Sequence, residues 1–175
     1  MTSVGTIANQ AVSSAESKTH ELGGKYLSFR LAGEEYGLEI LKVREIIGLM
    51  EITPVPCTPS FVLGVINLRG KVIPVTDLRS KFRMAPAERT GQTCIIVVDM
   101  GLLEMGILVD SVSEVRNISS EAIEAPPNFG TEVKTDFILG MGKLADRVTI
   151  LLDINKILTS EEINTLQPLS AKKAA

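Results

Sequence analysis

Residues 61–82 read FVLGVINLRGKVIPVTDLRSKF, and residues 137–158 read FILGMGKLADRVTILLDINKIL. The two stretches share phenylalanine, leucine, glycine, valine and aspartate at matching positions: Phe61/Phe137, Leu63/Leu139, Gly64/Gly140, Leu68/Leu144, Val72/Val148 and Asp77/Asp153. Most of the other positions exchange one aliphatic residue for another. Apolar patterning alone does not place a shared glycine or a shared aspartate, so we interpret the two stretches as copies of an internal repeat.

A weaker match precedes each copy, because residues 27–46 overlay residues 96–115. The matched pairs include Glu35/Glu104, Gly37/Gly106, Val43/Val112 and Glu45/Glu114. Each copy then has the same order: a strand, a glycine-containing turn, a second strand, a proline-rich connector, a strand, a tight turn and a return strand. The whole chain is therefore predicted to consist of two similar β-rich units.

Helix signals follow each copy of the repeat. Asp77 and Asp153 stand where a side-chain oxygen caps the first turn of a short helix. Near the C-terminus, Thr159 and Glu162 have the spacing of a capping box. This spacing predicts a helix that runs through about Leu166.

Short strands with regularly spaced turns and few helices predict an all-β fold of two small packed barrels. Residues 1–24 are expected to form a disordered tail and residues 25–166 the folded domain. Its subdomains are expected at about 25–88 and 89–158, with exchange of strands between them left open. Residues 167–175 are expected to be a flexible tail.

Composition restricts the function. The chain has 175 residues, a net charge of −3, 45% hydrophobic residues, 4% aromatic residues and no tryptophan. A basic or aromatic surface for nucleic acid is not expected, and the apolar runs are too short to cross a bilayer. No secretory signal is visible, and Cys57 and Cys94 lack a metal or redox spacing. We therefore expect a cytoplasmic protein with reduced thiols.

Residues suited to catalysis are scarce. The only histidine, His20, lies in the predicted N-terminal tail, so neither a serine nor a cysteine nucleophile has a histidine base. The sequence contains no histidine–cysteine cluster for zinc and no phosphate-binding glycine loop. A binding module without enzymatic activity, metal or cofactor is the expected class.

Differences between the two copies indicate residues for recognition. Ala145 stands at the position of Arg69, so the turn itself does not require arginine, although a solvated turn tip is the other interpretation. Glu45 is matched by Glu114, which favours a role in the fold, and an ion pair with Arg69 is one option. Phe129 lies on a proline- and glycine-containing connector, where it either contacts a partner or plugs its own barrel.

Five segments together resemble the CheW family of bacterial chemotaxis coupling proteins: EEYGLEILKVREI (34–46), the proline-rich connector (50–60), residues 61–82, GILVDSVSEV (106–115) and DRVTILLDINKIL (146–158). The resemblance covers about residues 25–166. It implies two intertwined five-stranded SH3-like barrels and no enzymatic activity. It also implies an adaptor that couples the cytoplasmic tips of methyl-accepting chemoreceptors to the histidine kinase CheA, within membrane-associated arrays.

The resemblance also assigns roles to particular residues. A receptor-binding groove between the subdomains would be lined by Ile40, Val43, Ile46, Cys94 and Ile95. Glu45 and Arg69 match charged family positions that orient this groove, and Phe129 matches an aromatic at a contact with the CheA regulatory domain. The chain departs from the family at Glu124, where relatives often carry a basic residue beside that aromatic. A CheA regulatory domain cut from a longer chain is the alternative within this fold.

Overall fold

The computed structural model describes residues 22–126 and 136–169. Phe129, most of the predicted N-terminal tail and residues 170–175 lie outside the described residues. The expectations for those segments therefore stay predictions.

The described residues form mostly β-structure with short helices, which confirms the predicted fold class. The strands are β1 (Gly24–Leu31), β2 (Glu34–Glu39), β3 (Val43–Gly48), β4 (Val62–Leu68), β5 (Lys71–Asp77), β6 (Cys94–Asp99), β7 (Glu104–Val109), β8 (Ser111–Ile118), β9 (Ile123–Glu124), β10 (Ile138–Leu144) and β11 (Arg147–Leu152). The helices are α1 (Leu78–Lys81), α2 (Ile154–Ile157) and α3 (Ser160–Leu166), with 3₁₀ turns at Ile40–Lys42, Ser120–Ala122 and Gln167–Leu169.

The strands of the two repeats are exchanged between two sheets. Barrel A is the six-stranded sheet β8-β1-β2-β11-β10-β9, and barrel B is the five-stranded sheet β3-β6-β7-β5-β4. Five strands were expected in each barrel, and the two-residue strand β9 is the additional one in barrel A. The hairpin β1–β2 therefore joins the second repeat, and the equivalent hairpin β6–β7 joins the first. Each hairpin is attached through a parallel pair, β2 with β11 and β7 with β5. A division of the chain near residue 88 does not separate the barrels, because each barrel takes strands from both sides of it.

The residues shared by the repeats have the same structural role in both barrels. Asp77 and Asp153 each accept a hydrogen bond at 3.0 Å, from the backbone N–H of Arg79 and of Asn155, as the capping prediction requires. A Cβ atom on Gly64 would lie 2.1 Å from the Thr53 carbonyl oxygen. On Gly140 it would lie 2.8 Å from the Glu124 carbonyl oxygen. Both glycines thus make room for the backbone of a neighbouring segment, the connector at Thr53 in barrel B and strand β9 in barrel A.

The largest apolar cluster lies between the two barrels, as expected for two units too small to be stable alone. It combines Leu27 and Phe29 of β1 with Ile96 and Val98 of β6, all almost completely buried. Because β6 is a central strand, its alternate residues enter a second cluster inside barrel B. Burial of each such aliphatic side chain contributes about 1.5–3 kcal/mol to folding.

The C-terminal helix closes one side of this shared core. Thr159 and Glu162 form the predicted capping box, and Leu166 is buried. The Glu162 carboxylate also lies 2.7 Å from Lys81 Nζ, which links α3 to α1. The chain continues as a 3₁₀ turn in which Leu169 packs against the shared core, although a flexible tail was expected from residue 167. Leu169 is apolar and reaches the core because the helix directs the chain back over it.

Candidate partner-binding surface

Three of the predicted groove residues border the shared core at the seam between the barrels, with Val43 at one end of the β3–β6 pairing and Cys94 at the other. Ile40, Val43 and Cys94 are each half-buried and pack against the shared core. Val112 of β8 also does so, and its backbone N–H hydrogen-bonds the Cys94 sulfur. Since Val112 belongs to barrel A and Cys94 to barrel B, the four residues span the seam. We call Ile40, Val43, Cys94 and Val112 the seam groove.

The environment of Cys94 is apolar. Burial raises the pKa of its thiol above the usual value, and the hydrogen bond from Val112 opposes that effect only in part. The protonated thiol therefore behaves as a small apolar side chain at neutral pH. The seam groove consequently presents aliphatic and thiol groups rather than charge.

Val112 was not among the predicted groove residues. The sequence did carry a signal for it, because the repeat pairs Val112 with Val43. The two valines have equivalent positions near the start of β3 and of β8, and β3 and β8 are edge strands of their sheets. Equivalent edges of two packed barrels meet the same shared core, so both valines border the same cluster.

The other two predicted groove residues have different environments. Ile46 lies on the same edge strand and is 46% exposed, so its side chain is accessible to a partner. Ile95 is 0% exposed and belongs to the core of barrel B. The assignment of Ile95 to a contact surface is therefore wrong for its side chain, because β6 is covered by β3 and β7 and alternates between two buried clusters.

An exposed leucine extends the same region. Leu41 lies in the 3₁₀ turn between Ile40 and Val43 and is 91% exposed. A leucine this exposed contributes little to the core, and with Ile46 it adds apolar surface beside the seam groove. Sequence reasoning missed Leu41 because an apolar residue between two others in a strand-like segment is normally assigned to the core.

The predicted charges form a two-pronged ion pair. Arg69 Nη1 donates to Glu45 Oε1 at 2.9 Å, and Arg69 Nη2 donates to Glu45 Oε2 at 2.8 Å. The hydrogen bonds from Arg69 lower the pKa of Glu45, so the pair is ionised well below neutral pH. The sequence left this pairing open, and the structure shows that it exists.

The turn that carries Arg69 explains how the side chain reaches β3. Leu68 pairs with Lys71, which leaves Arg69 and Gly70 as a two-residue hairpin loop. Both loop residues have positive φ, 54° and 82°, as a type I′ turn requires. The Arg69 side chain is 74% exposed, so it remains accessible while it is held by Glu45.

The equivalent glutamate in the second repeat has another partner. Glu114 lies 2.9 Å from Arg116 Nε and has no arginine at the hairpin tip, where Ala145 replaces Arg69. The repeat therefore conserves the acidic residue but not the ion pair. This difference confines the Glu45–Arg69 pair to barrel B.

Glu124 also has a basic partner close by. Its Oε1 lies 2.7 Å from Lys143 Nζ on the neighbouring strand β10, and both side chains are exposed. Lys143 thus brings a positive charge beside Glu124, where the family resemblance led us to expect a basic residue. Phe129, the aromatic that accompanies it, lies outside the described residues.

The described part of the chain offers little for catalysis by metal. Within residues 22–126 and 136–169, no group of three or more His, Cys, Asp or Glu side chains is placed to hold a metal ion. In the same residues, no helix is long and apolar enough to span a membrane. Cys57 and Cys94 are both free thiols.

Comparison with known proteins identifies related chains. A family model described as "CheW-like domain" matches residues 25–162. The chain is 42% identical over 142 residues to a chemotaxis protein CheW of Klebsiella aerogenes, covering 81% of this chain and 86% of that protein. It is 35% identical to the chemotaxis protein CheW of Rhizobium meliloti over 140 residues, covering 80% and 90%. The crystal structure of the scaffolding protein TtCheW from Thermoanaerobacter tengcongensis superposes with a TM-score of 0.73 at 36% identity, covering 80% and 95%.

Proposed function

Because this chain belongs to the CheW family, we propose that it is a non-catalytic adaptor of bacterial chemotaxis that couples methyl-accepting chemoreceptors to the histidine kinase CheA. The observation that carries the proposal is the seam groove, an apolar surface built from both barrels beside a charged pair. Relatives that match most of this chain are named for chemotaxis, and the matching crystal structure is titled as a scaffolding protein.

The seam groove suits the helical tip of a receptor. Helix-in-groove recognition needs an apolar channel that accepts side chains from one face of an amphipathic helix. The half-buried Ile40, Val43, Cys94 and Val112 supply apolar side chains from both barrels for such a contact, and the exposed Leu41 and Ile46 add apolar area. Burial of these side chains by a helix would drive association, because the hydrophobic effect scales with the apolar area removed from water.

The Glu45–Arg69 pair would fix the orientation of this surface. Glu45 lies on β3 between Val43 and Ile46, and Arg69 lies at the tip of the β4–β5 hairpin. The pair therefore ties the hairpin to the edge strand that carries the groove. Charged groups at the rim of an interface act mainly on specificity and on the rate of association.

Coupling requires that receptor and kinase bind at the same time. An adaptor that holds both partners raises the effective concentration of each toward the other, without a catalytic step. The CheA regulatory domain is proposed to contact a separate surface that includes Phe129. We propose that the adaptor is cytoplasmic and reaches membrane-associated arrays by binding the receptor, with no insertion of its own.

A matched pair of variants tests the groove. Val43→Asp places a charge in the seam groove, and Val148→Asp places the same charge on an exposed valine of β11 that lies outside the seam groove. We expect Val43→Asp to weaken binding of a receptor cytoplasmic fragment at least about 10-fold, because a carboxylate must be desolvated there. Val148→Asp should bind like the wild type. Val43→Asp should keep a cooperative melting transition and the wild-type affinity for the CheA regulatory domain, and Val148→Asp should keep the wild-type melting transition.

The proposal fails if calorimetric titration gives the same receptor affinity for Val43→Asp and the wild type. Loss of the melting transition in Val43→Asp would instead show that the valine is part of the core. In that case Ile46→Asp, on the more exposed position of the same strand, provides the test.

A further inference from the structure

The interior of barrel A contains buried side-chain oxygens that make no hydrogen bond within the described part of the chain. Ser28 Oγ and Thr149 Oγ1 are completely buried and have no hydrogen-bond partner among the described residues. Both carboxylate oxygens of the buried Glu35 also accept no hydrogen bond there, although Arg116 Nη2 lies 3.3 Å from Glu35 Oε1. Buried polar groups in native proteins are nearly always hydrogen-bonded, to protein or to internal water.

These groups lie close together on one face of the sheet. Ser28 is the cross-strand neighbour of Gly37, and Leu151 Cδ2 and Thr149 Cγ2 lie 2.9 Å and 3.5 Å from the place that a Gly37 Cβ would occupy. Glu35 precedes Gly37 by two residues on the same strand, so its side chain points to the same face. Ser28, Thr149 and Glu35 therefore surround the backbone of Gly37.

The repeat provides an internal comparison. In the sequence overlay, Ser28 corresponds to Val97, and Thr149 corresponds to Ile73. Val97 and Ile73 are buried in the purely aliphatic core of barrel B. The barrel architecture therefore does not require hydroxyl groups at these positions. Their presence in barrel A has a local cause.

We propose that barrel A holds internal water bound by Ser28, Thr149 and Glu35. A buried water molecule typically makes about three hydrogen bonds, and it both donates and accepts, so one or two molecules satisfy the hydroxyls and solvate the carboxylate that faces Arg116.

Removal of one hydroxyl at constant shape tests this site. Thr149→Val keeps the side-chain volume but removes the hydroxyl group. The bound water therefore loses one of its hydrogen bonds. We expect the folding equilibrium constant of the full chain to fall about 3- to 10-fold in urea unfolding. Thr76→Val is the control, because Thr76 is equally buried but its hydroxyl already donates to Met105 Sδ at 3.2 Å, a weak acceptor. It should change the constant less than about 2-fold.

The proposal is overturned if Thr149→Val is as stable as the wild type or more stable. That result is expected when no water is bound, because a methyl group then replaces a hydroxyl that has no hydrogen bond to lose. A direct observation on the wild type decides independently of any variant. A crystal structure with ordered solvent should show water within hydrogen-bond distance of Ser28 Oγ and Thr149 Oγ1. The site is refuted if the electron-density map shows ordered water on the protein surface but none beside these two hydroxyl groups.

Discussion

Gly64→Ala is the substitution whose effect follows most directly from the fold. Gly64 has a φ of +144°, and a Cβ there would lie 2.1 Å from the Thr53 carbonyl oxygen and 2.9 Å from Pro54 Cα. These neighbours are backbone atoms, so no side-chain rotation relieves the overlap. The connector must move away from β4, and the positive φ must be held by an alanine that disfavours it.

The magnitude can be worked from what the movement breaks. Thr53 N–H donates to the Val65 carbonyl at 2.8 Å, and Val65 N–H donates to the Thr53 carbonyl at 2.9 Å. Loss of these two hydrogen bonds costs about 1–3 kcal/mol together, and the backbone strain adds about 1–3 kcal/mol. Gly64→Ala should therefore destabilise the protein by about 2–6 kcal/mol, a large part of a typical domain stability of about 5–15 kcal/mol.

Urea unfolding followed by far-UV circular dichroism measures this loss, with two glycine controls. Gly70 has a φ of +82°, but the space that a Cβ would occupy is open. Gly70→Ala should therefore cost only the backbone strain, about 1–2 kcal/mol. Gly48→Ala has open space and no positive φ, and should lie within about 0.5 kcal/mol of the wild type. If Gly64→Ala were no worse than Gly70→Ala, the close crossing of the connector over β4 would be contradicted.

Three further predictions concern charge and titration. Reversal of one charge, by Glu45→Arg or Arg69→Glu, should weaken receptor binding about 5-fold or more. The double variant, with both charges reversed, should recover part of the lost affinity. An unchanged loss of affinity in the double variant would argue against a role for the pair. The Arg79 hydrogen bonds lower the pKa of Asp110 in the folded state, so the stabilisation is present above the unfolded pKa and is lost as pH falls through the folded pKa. Asp110→Asn should therefore destabilise the protein more at pH 7 than at pH 3 in urea titrations, and an equal loss at both would contradict this. Half-burial raises the pKa of Cys94, so mass spectrometry should find its alkylation at pH 8 at least about 10-fold slower in the folded than in the unfolded chain; equal rates would refute its burial.

Local features of the fold were predictable because their signals are local. The tight turn at Arg69-Gly70 and the caps at Asp77 and Asp153 depend on a few neighbouring residues, and the structure has them where the sequence indicates. The matched glycine Gly64 marked a constraint in the repeat, although its cause, the crossing connector, is seen only in three dimensions. Short-range chemistry thus carries over from sequence to structure without knowledge of the topology.

The exchange of hairpins does not follow from the local sequence pattern, although the family resemblance implied intertwined barrels. The hairpins β1–β2 and β6–β7 carry similar apolar patterns, so either barrel would bury much of either hairpin. The hairpins differ at Ser28, which the overlay matches with Val97, while Glu35, matched by Glu104, contacts Arg116 of the distant β8. Pairing of strands that are far apart in the chain depends on such long-range contacts, which a local pattern does not contain.

The candidate surface was predictable to the same limited degree. The resemblance indicated the edge strand β3 correctly as a surface element, and Val43 and Ile46 are accessible there. Ile95 was misassigned because β6 contains four consecutive buried residues. Its sequence therefore shows no alternation that separates a buried face from an exposed face. The partner of Glu45 also required the tertiary structure, since the equivalent Glu114 contacts Arg116 instead.

The most direct test of the coupling role is a reconstitution with purified full-length protein, the CheA regulatory domain and a receptor cytoplasmic fragment. Size-exclusion chromatography with light scattering would report the mass of the complex. The account predicts a single ternary species that contains all three chains, and predicts that Val43→Asp removes the receptor fragment while CheA stays bound. Binding of only one partner at a time, or of neither, would contradict an adaptor that couples receptor to kinase.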